Sequence, residues 1–405
     1  MIIFDAIYML ASLYCISIVF YLFAVTVAAY FFRKKTGTVT IPPKIAVVVP
    51  AHNEELSIKK TVREICRSRY ERSNYSVMVI ADNCDDNTAA VARAAGALVF
   101  ERSDISRRGK GQALDWFLSK HSKDYAEFDI VAIVDADTLV HHDYLHEIAA
   151  SLSHPDVRVV QSHNGVSNPE DNWRTALSTA AFNVFNHIRP AGRNVIGGTA
   201  GLKGNGMAFR AEVLRKHGWP AHSIVEDIEF TLQLLDDNIL VHYNPDALVV
   251  SEMAVERKQV ETQRKRWEGG RFQMFRQHSP IVLGKYIQTG KMRYLDELME
   301  LLTPPLSFLL IMQFILFAGA LLMYTSWIPI FLATFTVEVF YVLSGQILRK
   351  APLSLWMYLL AAPLFLMSKV PVYLKLIKRE ETKQWDRTER ISELNSRERI
   401  EPDEN

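Results

Sequence analysis

The chain has 405 residues, of which 49% are hydrophobic and 22% are charged. This length and composition suit one large globular domain with additional membrane segments. A formal net charge of +1, without a basic stripe interleaved with aromatic residues, argues against a nucleic-acid-binding protein. The three cysteines have no paired spacing, which excludes a disulfide framework and a cysteine-based zinc site.

The first long apolar stretch covers residues 6–32 and contains no charged residue. A helix needs roughly 20 apolar residues to cross a hydrocarbon core of ~30 Å, so this stretch predicts a transmembrane helix within residues 1–35. Asp5 precedes the stretch and the basic run 33–35 follows it, unlike a cleaved signal peptide. By the positive-inside rule, we expect the residues after the span to be cytoplasmic and the N-terminus to lie outside.

Residues 44–284 alternate short apolar runs with amphipathic stretches. This alternation predicts an α/β fold with a mostly parallel, doubly wound, Rossmann-like sheet and helices on both faces. In such a sheet, ligands bind beyond the carboxyl ends of the strands. The predicted strands are residues 45–49, 77–81, 97–100 and 130–134, and the predicted helices are residues 55–67, 88–95, 111–120 and 143–152.

The last third of the chain is apolar again. Residues 303–325 are uncharged and residues 327–348 carry only Glu338, so residues 303–348 predict a transmembrane hairpin with Ser326 near its outer turn. We expect an interfacial helix at 285–302 and an amphipathic interfacial helix with snorkelling lysines at 352–378. The alternative for 352–378 is a further span, which would place the basic residues after it outside the cell, against the charge rule. The tail, residues 379–405, is therefore predicted to be cytoplasmic.

Two carboxylates follow the strand predicted at 130–134. If the alternation of that strand continues, Asp135 and Asp137 leave it on the same face, where one divalent cation can contact both. The motif contains no His or Cys, so its hard oxygen ligands favour Mg²⁺ or Mn²⁺. A cation held by one or two carboxylates usually shares a phosphate-bearing substrate. For an isolated Asp-x-Asp, capping of a turn is an equal alternative.

Four polar clusters follow one another on this background of strands and helices. They are Asp82, the pair Asp135 and Asp137, the pair Glu226 and Asp227, and the run Gln263-Arg264-Lys265-Arg266-Trp267. In this order, between apolar segments, they resemble the processive members of glycosyltransferase family 2, which are cellulose, chitin, hyaluronan and poly-N-acetylglucosamine synthases. The resemblance covers nearly the whole chain and implies a GT-A type fold and a UDP-sugar donor.

The resemblance also implies roles for residues of the donor site. Asp82 resembles the aspartate that contacts uracil, and Lys110 resembles the basic residue beside the nucleotide. Asp135 resembles a contact to the diphosphate or the sugar, and Asp137 the direct metal ligand. The family's opening nucleotide loop is matched by Pro50, Asn53 and Glu54. Taken alone, Asp82 would be a turn cap and Lys110 a solvated lysine.

Asp227 is the predicted general base. A carboxylate within hydrogen-bond reach of an acceptor hydroxyl can take its proton as the oxygen attacks the anomeric carbon. Glu226 is the second candidate catalytic carboxylate. The alternative is that both residues form the acidic first turn of a helix at 227–235, where the helix dipole favours them. The family often has Thr before this pair, whereas this chain has Val225.

A predicted helix carries the motif that lines the acceptor site in the family. Gln263, Arg266 and Trp267 have the spacing i, i+3 and i+4, which places them on one helix face. In the family, the Trp stacks on the terminal sugar and the polar pair lies near the diphosphate. A charged helix with a buried Trp is the alternative.

Two further segments match family motifs. Gly204, Asn205 and Gly206 match the back wall of the acceptor pocket, although a plain glycine turn explains them equally well. The family's C-terminal gating loop, which closes over bound nucleotide, is matched by Trp385, Thr388 and Arg390. A solvated charged tail is the alternative for this last segment.

The sequence therefore predicts an inverting glycosyltransferase in a bacterial inner membrane, with a cytoplasmic catalytic domain. It would extend a β-linked polysaccharide from a UDP-sugar and couple this to export. The expected partners are the UDP-sugar, a polysaccharide or oligosaccharide acceptor, the lipid bilayer and subunits of an export complex. The first alternative is single-sugar transfer to polyprenyl phosphate or another lipid-linked acceptor, and the second is an inactive scaffold in a polysaccharide secretion complex. A glycosidase ranks last, since hydrolysis needs no nucleotide loop.

Overall fold

The computed structural model describes residues 2–221, 225–253 and 274–377. The chain divides into two compact units. Among the described residues, the helical unit comprises 2–32, 169–198 and 274–377, and the sheet unit comprises 33–168, 199–221 and 225–253. The catalytic domain predicted at 44–284 stays a prediction. The other predicted boundaries stay predictions.

The sheet unit has an eight-stranded sheet in its described residues. The strand order is β3-β2-β1-β4-β7-β6-β8-β5. Strands β1 to β4 are parallel, β7 is antiparallel to both β4 and β6, and β5 is antiparallel to β8. The strands are β1 (Ile45–Ala51), β2 (Tyr75–Asp82), β3 (Leu98–Arg102), β4 (Ile130–Ile133), β5 (Thr138–Val140), β6 (Val159–Val166), β7 (Met207–Arg210) and β8 (Val241–Ser251).

The helices alternate with these strands and then dominate the C-terminal part. Those before β6 are α1 (Ile2–Ala29), α2 (Ile58–Cys66), α3 (Thr88–Ala94), α4 (Lys110–Lys120) and α5 (Tyr144–Leu152). Those between β6 and β8 are α6 (Trp173–Asn183), α7 (Arg189–Val195), α8 (Ala211–His217) and α9 (Glu226–Asp236). Those after β8 are α10 (residues 274–289), α11 (Met292–Leu302), α12 (Leu306–Leu322), α13 (Ile328–Leu348), α14 (Leu353–Tyr358) and α15 (Ala362–Ile377).

The predicted α/β class is confirmed, and its physical basis is the burial of the central strands. Every residue of β4 is buried, and β1 is buried at all but one position, as expected for parallel strands covered by helices on both faces. Helix α2 covers one face with Ile58, Val62 and Ile65, whose spacing forms a single apolar stripe. The sheet is more mixed than predicted, because β7 re-enters in the opposite direction after the helical segment 169–198.

Within the described residues, the helical unit contains two helices that are long and apolar enough to cross a membrane. They are Ile3–Ala29 and Thr325–Leu348, which correspond to the predicted first span and to the second arm of the predicted hairpin. The first arm corresponds to α12, which has 17 residues. It reaches spanning length only together with α11, across a bend of 75°. The predicted interfacial helix 352–378 corresponds to α14 and α15, which a short 3₁₀ turn separates.

A buried charge cluster joins three helices of the helical unit. The Arg193 guanidinium of α7 donates to Asp296 Oδ2 at 2.8 Å and to Glu297 Oε2 at 2.6 Å on α11. Tyr21 of α1 donates to Asp296 Oδ1 at 2.9 Å. Residues 189–195 approach α1 so closely that a Cβ on Gly192 would lie 1.9 Å from the Val25 carbonyl oxygen. The segment 169–198 is thus locked to the apolar helices by both charge and close packing.

Candidate active site

The end of β2 carries Asp82, which is buried at the carboxyl edge of the sheet. Arg102, the last residue of β3, donates to Asp82 Oδ1 at 2.5 Å, and Asn83 Nδ2 donates to the same oxygen at 2.9 Å. Burial raises the pKa of the Asp82 carboxyl, and the Arg102 guanidinium partly offsets this rise. The structure therefore holds Asp82 by one oxygen, in a fixed orientation.

Two asparagines shape the loops around Asp82. Asn53 and Asn83 adopt φ values of 54° and 51°, in the left-handed region that Asn tolerates better than most residues. Asn53 Oδ1 accepts the Asp85 N–H at 3.0 Å, so the β1 loop is tied to the β2 loop. Glu54 adds a second contact between these two parts of the chain, because its N–H donates to Thr88 Oγ1 at 2.7 Å. Pro50 lies within β1 and not in the loop that was predicted for it.

The motif Asp135-Ala136-Asp137 lies on a turn. The prediction that strand alternation aims both carboxylates is wrong, because β4 ends at Ile133 and residues 136–137 turn into β5. The Thr138 N–H donates to the Asp135 carbonyl at 3.1 Å, and Thr138 Oγ1 donates to Asp137 Oδ1 at 3.3 Å. Both acidic side chains are half-buried. Turn geometry, and not strand pleating, therefore sets the direction of the two carboxylates.

Lys110 begins α4 and reaches across the site. Its ammonium group donates to Asp135 Oδ1 and to the Gly204 carbonyl. Burial disfavours the charged lysine, but the carboxylates of Asp135 and Glu226 outweigh burial and raise the pKa of Lys110. Lys110 therefore stays charged beside the predicted position of the diphosphate, which differs from the alternative of a solvated lysine.

Glu226 and Asp227 form the first turn of α9, as in the alternative given above for this pair. Asp227 Oδ1 accepts the Ile228 N–H at 2.9 Å, and Thr231 Oγ1 donates to the Asp227 carbonyl at 2.8 Å. Burial raises the pKa of Asp227, and burial together with the neighbouring Asp227 carboxylate raises the pKa of Glu226. Raised carboxyl pKa values are typical of groups that exchange protons during catalysis.

Gly204 connects the two halves of the site. Its carbonyl accepts from Lys110, and a Cβ built on it would lie 3.6 Å from Asp227 Oδ2. Its φ of 77° is in the left-handed region, so the turn suits glycine. The chain thereby brings Asp135, Lys110, Gly204 and Asp227 together, although they come from four separate segments.

Asn205 differs from its predicted role at the wall of the acceptor pocket. It is 3% exposed, and its Oδ1 accepts the Asp135 N–H at 3.1 Å while its Nδ2 donates to Thr138 Oγ1 at 2.8 Å. Asn205 thus supports the Asp135–Asp137 turn from behind. Gly206 is equally constrained, since a Cβ there would lie 2.8 Å from Val249 Cγ2.

Sequence reasoning overlooked Arg102 and the supporting role of Asn205. Arg102 had a usable signal, because it lies two residues after the strand predicted at 97–100 and so falls near the same edge as Asp82. The sequence held no such signal for Asn205, because its hydrogen bond to Asp135 joins residues 70 positions apart. Six predicted site residues lie outside the described residues, and their roles stay predictions: Gln263, Arg266, Trp267, Trp385, Thr388 and Arg390.

Residues 42–270, more than half of the chain, match the family profile described as Glycosyltransferase like family 2. The chain belongs to this family. The family resemblance seen in the sequence is therefore confirmed at this level, and the chain carries a family 2 glycosyltransferase domain.

Two curated relatives refine the comparison within family 2. A beta-monoglucosyldiacylglycerol synthase from Trichormus variabilis is 29% identical over 273 residues, which cover 64% of this chain and 55% of the relative. The probable glycosyltransferase YdaM from Bacillus subtilis is 23% identical over 350 residues, covering 84% of this chain and 76% of the relative. The family 2 chain spans about half the length of the Trichormus relative. The first relative is named for a lipid product, which does not match the predicted subgroup of processive polysaccharide synthases.

A solved structure shares the fold of this family 2 chain. The mannosyltransferase PcManGT from Pyrobaculum calidifontis, determined with GDP-Man and Mn²⁺, superposes with a TM-score of 0.52 at 20% identity. The match covers 83% of this chain and 98% of that chain. At this identity the likeness shows the fold alone, and it supports the predicted GT-A type architecture.

Proposed function

We propose that this chain is an inverting, membrane-bound glycosyltransferase that transfers one sugar from a UDP-sugar to the hydroxyl of a lipid acceptor, such as a diacylglycerol. The observation that carries the transferase chemistry is the convergence of Asp135, Lys110 and Asp227 around Gly204. It places groups suited to a diphosphate next to a carboxylate suited to an acceptor hydroxyl. The lipid acceptor rests on the 29% identical relative named as a diacylglycerol glucosylating enzyme.

The donor half would bind the nucleotide through residues of the β1, β2 and β4 edges. Asp82, held by Arg102, offers an oriented carboxylate to the uracil ring. The half-buried carboxylates of Asp135 and Asp137 suit a hard divalent cation, and Asp137 would be the main ligand because Lys110 already neutralises Asp135. When bound, Mg²⁺ or Mn²⁺ supplies positive charge that stabilises the departing diphosphate.

The acceptor half would use Asp227. The acceptor oxygen attacks the anomeric carbon, the bond from that carbon to the diphosphate breaks, and UDP leaves with the electron pair. The proton of the acceptor hydroxyl passes to the Asp227 carboxylate. Burial and the Ile228 N–H fix this carboxylate in place. A single displacement from the face opposite the leaving group inverts the anomeric configuration.

The membrane location rests on the helical unit. Two of its helices have the length and apolar character of spans. An exposed apolar stripe also runs along α14 and α15 at intervals of three and four residues, through Leu353, Met357, Leu360, Leu364 and Met367. Such a stripe is typical of a helix that lies in the membrane interface. We therefore place the protein in the membrane with its sheet unit on the cytoplasmic side, where UDP-sugars are available.

The test is a product analysis. The full chain, purified in detergent, is incubated with radiolabelled UDP-sugars and either diacylglycerol, polyprenyl phosphate or an oligosaccharide. We expect an organic-soluble product with one sugar on diacylglycerol, formed at least about a hundredfold more slowly by Asp227→Asn. An aqueous polymer that a linkage-specific hydrolase degrades would instead support the polysaccharide synthase first predicted from the Gln263–Trp267 motif. If polyprenyl phosphate is the only acceptor that receives sugar, the acceptor is still a lipid, but it is not a diacylglycerol.

A further inference from the structure

A second cluster of metal-ligating side chains lies outside the donor site. It occupies the loop between β5 and α5 and consists of His141, His142 and Asp143. One ligand atom from each residue lies within 4.8 Å of the other two. The distance from His142 Nε2 to Asp143 Oδ2 is 3.0 Å, and that from His141 Nδ1 to the same oxygen is 3.9 Å. The three donor atoms thus lie close together.

The backbone of this loop is held on several sides. The His141 N–H donates to the Leu248 carbonyl at 3.0 Å, and the Tyr144 N–H donates to the His141 carbonyl at 2.9 Å. The His142 carbonyl accepts the Arg69 N–H at 2.9 Å and Ser68 Oγ at 3.1 Å. The three donor side chains therefore start from a fixed backbone, which lowers the conformational entropy lost when a cation binds them.

The donor set indicates the class of cation. Two imidazoles and one carboxylate match catalytic zinc sites, whose bonds of about 2.0–2.2 Å place neighbouring ligand atoms roughly 3.3–3.5 Å apart in a tetrahedron. The observed separations of 3.0 and 3.9 Å bracket that spacing. The side chains of His141 and His142 are 40% and 38% exposed, so water has access to the remaining position. Imidazole favours Zn²⁺ over the Mg²⁺ and Mn²⁺ that suit the Asp135–Asp137 turn.

One neighbour competes for Asp143. The Arg69 guanidinium lies 3.4 Å from Asp143 Oδ1, at a distance that makes a poor hydrogen bond. The Arg69 side chain is 68% exposed, and ion pairs of this kind contribute little because water screens them. A divalent cation on Asp143 Oδ2 would displace this contact at small cost.

We propose that His141, His142 and Asp143 form a second metal site that binds Zn²⁺ or another late first-row divalent cation. The site is separate from the donor site, because the whole of β5 lies between Asp137 and His141. Four residues at about 3.3 Å each place the two sites roughly 13 Å apart along the strand. The bound ion would tie the loop before α5 to the end of α2, since Ser68 and Arg69 already contact it.

The test uses the full chain in detergent, stripped with a chelator and then kept in saturating Mg²⁺ so that the donor site is filled. Calorimetric titration with Zn²⁺ should show one site per chain with micromolar affinity, and His142→Ala should weaken it by at least about tenfold. The matched control is His121→Ala, which removes one imidazole from the His121–Asp124 pair, where no second imidazole takes part. This control should leave the Zn²⁺ affinity unchanged.

A second readout does not depend on affinity. Cu²⁺ bound to the wild type should show electron spin echo modulation from two imidazole nitrogens, and His141→Ala should reduce it to one. Binding of UDP in Mg²⁺ should be the same for all variants, which confirms that they fold. Equal Zn²⁺ affinity in wild type and His142→Ala, or no saturable binding in the micromolar range, would overturn the proposal and leave the proposed glycosyltransferase function untouched.

Discussion

Lys110 and Asp135 form an ion pair at the carboxyl edge of the sheet, in which the lysine ammonium donates to Asp135 Oδ1. The same ammonium donates to the carbonyl of Gly204, where a built Cβ would lie 3.6 Å from Asp227 Oδ2. The Lys110 ammonium thus connects the Asp135 carboxylate, which is expected near the diphosphate, to the turn beside Asp227, which is the expected general base.

Turnover should require Mg²⁺ or Mn²⁺, and Asp137→Ala should weaken both UDP binding and rate. The reason is that Asp137 would supply the main protein oxygen to a cation that also contacts the diphosphate. Titration calorimetry with UDP and an initial-rate assay measure the two effects. Asp124→Asn, which alters an exposed carboxylate, is the control. Full activity in excess EDTA would contradict the prediction.

Asp227→Asn should lower the rate by about 10²-fold or more while UDP affinity stays nearly constant. The amide keeps the shape of the side chain but cannot accept the hydroxyl proton, and general bases contribute on this scale. Asp236→Asn, at the far end of the same helix, serves as the control and should retain activity. Near wild-type turnover of Asp227→Asn would mean that another group is the base.

On the acid side of the pH–rate profile, the rate should begin to fall at a pH above about 4, the ordinary pKa of a carboxyl group. Burial raises the pKa of Asp227 and Glu226, so the pair takes up protons at higher pH than exposed carboxylates, and a protonated Asp227 cannot act as a base. Glu226→Gln removes the carboxyl whose pKa the charged Asp227 raises, so the acid limb of kcat should then follow the protonation of Asp227 alone. An unchanged limb would show that the two carboxyls do not interact.

The same two pKa shifts have a consequence for stability. The folded state binds these protons more tightly than the unfolded chain does, because both folded pKa values are raised. The contribution of the pair to the free energy of unfolding should therefore increase as pH falls through the raised values toward the ordinary range. Above the raised values, the buried charges disfavour folding.

Arg102→Met should destabilise the sheet unit by about 3–5 kcal/mol, because it leaves the Asp82 carboxylate buried without its guanidinium. The double variant Arg102→Met with Asp82→Asn should recover part of this loss. Arg93→Met is the matched control, since it breaks the exposed pair Arg93–Glu101 and should change the free energy of unfolding by less than about 1 kcal/mol. Thermal unfolding measures all three. Similar losses in Arg102→Met and Arg93→Met would argue against the buried pair.

Gly192→Ala should destabilise the helical unit by about 1–3 kcal/mol, the usual cost of overpacking. The added methyl group would meet the backbone of Val25 at 1.9 Å, so α7 and α1 must separate. Gly284→Ala is the matched control in α10, where a Cβ would meet nothing within 4 Å. It should be neutral or stabilising, because Ala favours a helix over Gly. Equal unfolding temperatures for the two variants would disprove the close contact.

For the acceptor class, the sequence motif and the name of a relative point in different directions. Gln263, Arg266 and Trp267 favoured a polysaccharide synthase, whereas the Trichormus relative is named for a glucosylated diacylglycerol. A short motif near the acceptor reports the shape of a sugar site and little about the size of what enters it. Acceptor specificity depends on surfaces that distant segments form together.

The sequence by itself determined the features that depend on neighbours along the chain. The α/β class, the four parallel strands, the long apolar helices and the helix that Glu226 and Asp227 begin all follow from local periodicity and composition, which a linear pattern records. Asp82, Asp135 and Asp137 were found in the same way, because each stands at or just after the end of a predicted strand.

The tertiary structure alone decided the relationships between distant segments. Arg102 meets Asp82 across 20 residues, Asn205 supports Asp135 across 70, and Lys110 reaches Gly204 across 94. The antiparallel entry of β7 between β4 and β6 also became visible only there. The physical reason is that such contacts form when packing closes long loops of chain, and no local preference of a residue encodes the partner it meets.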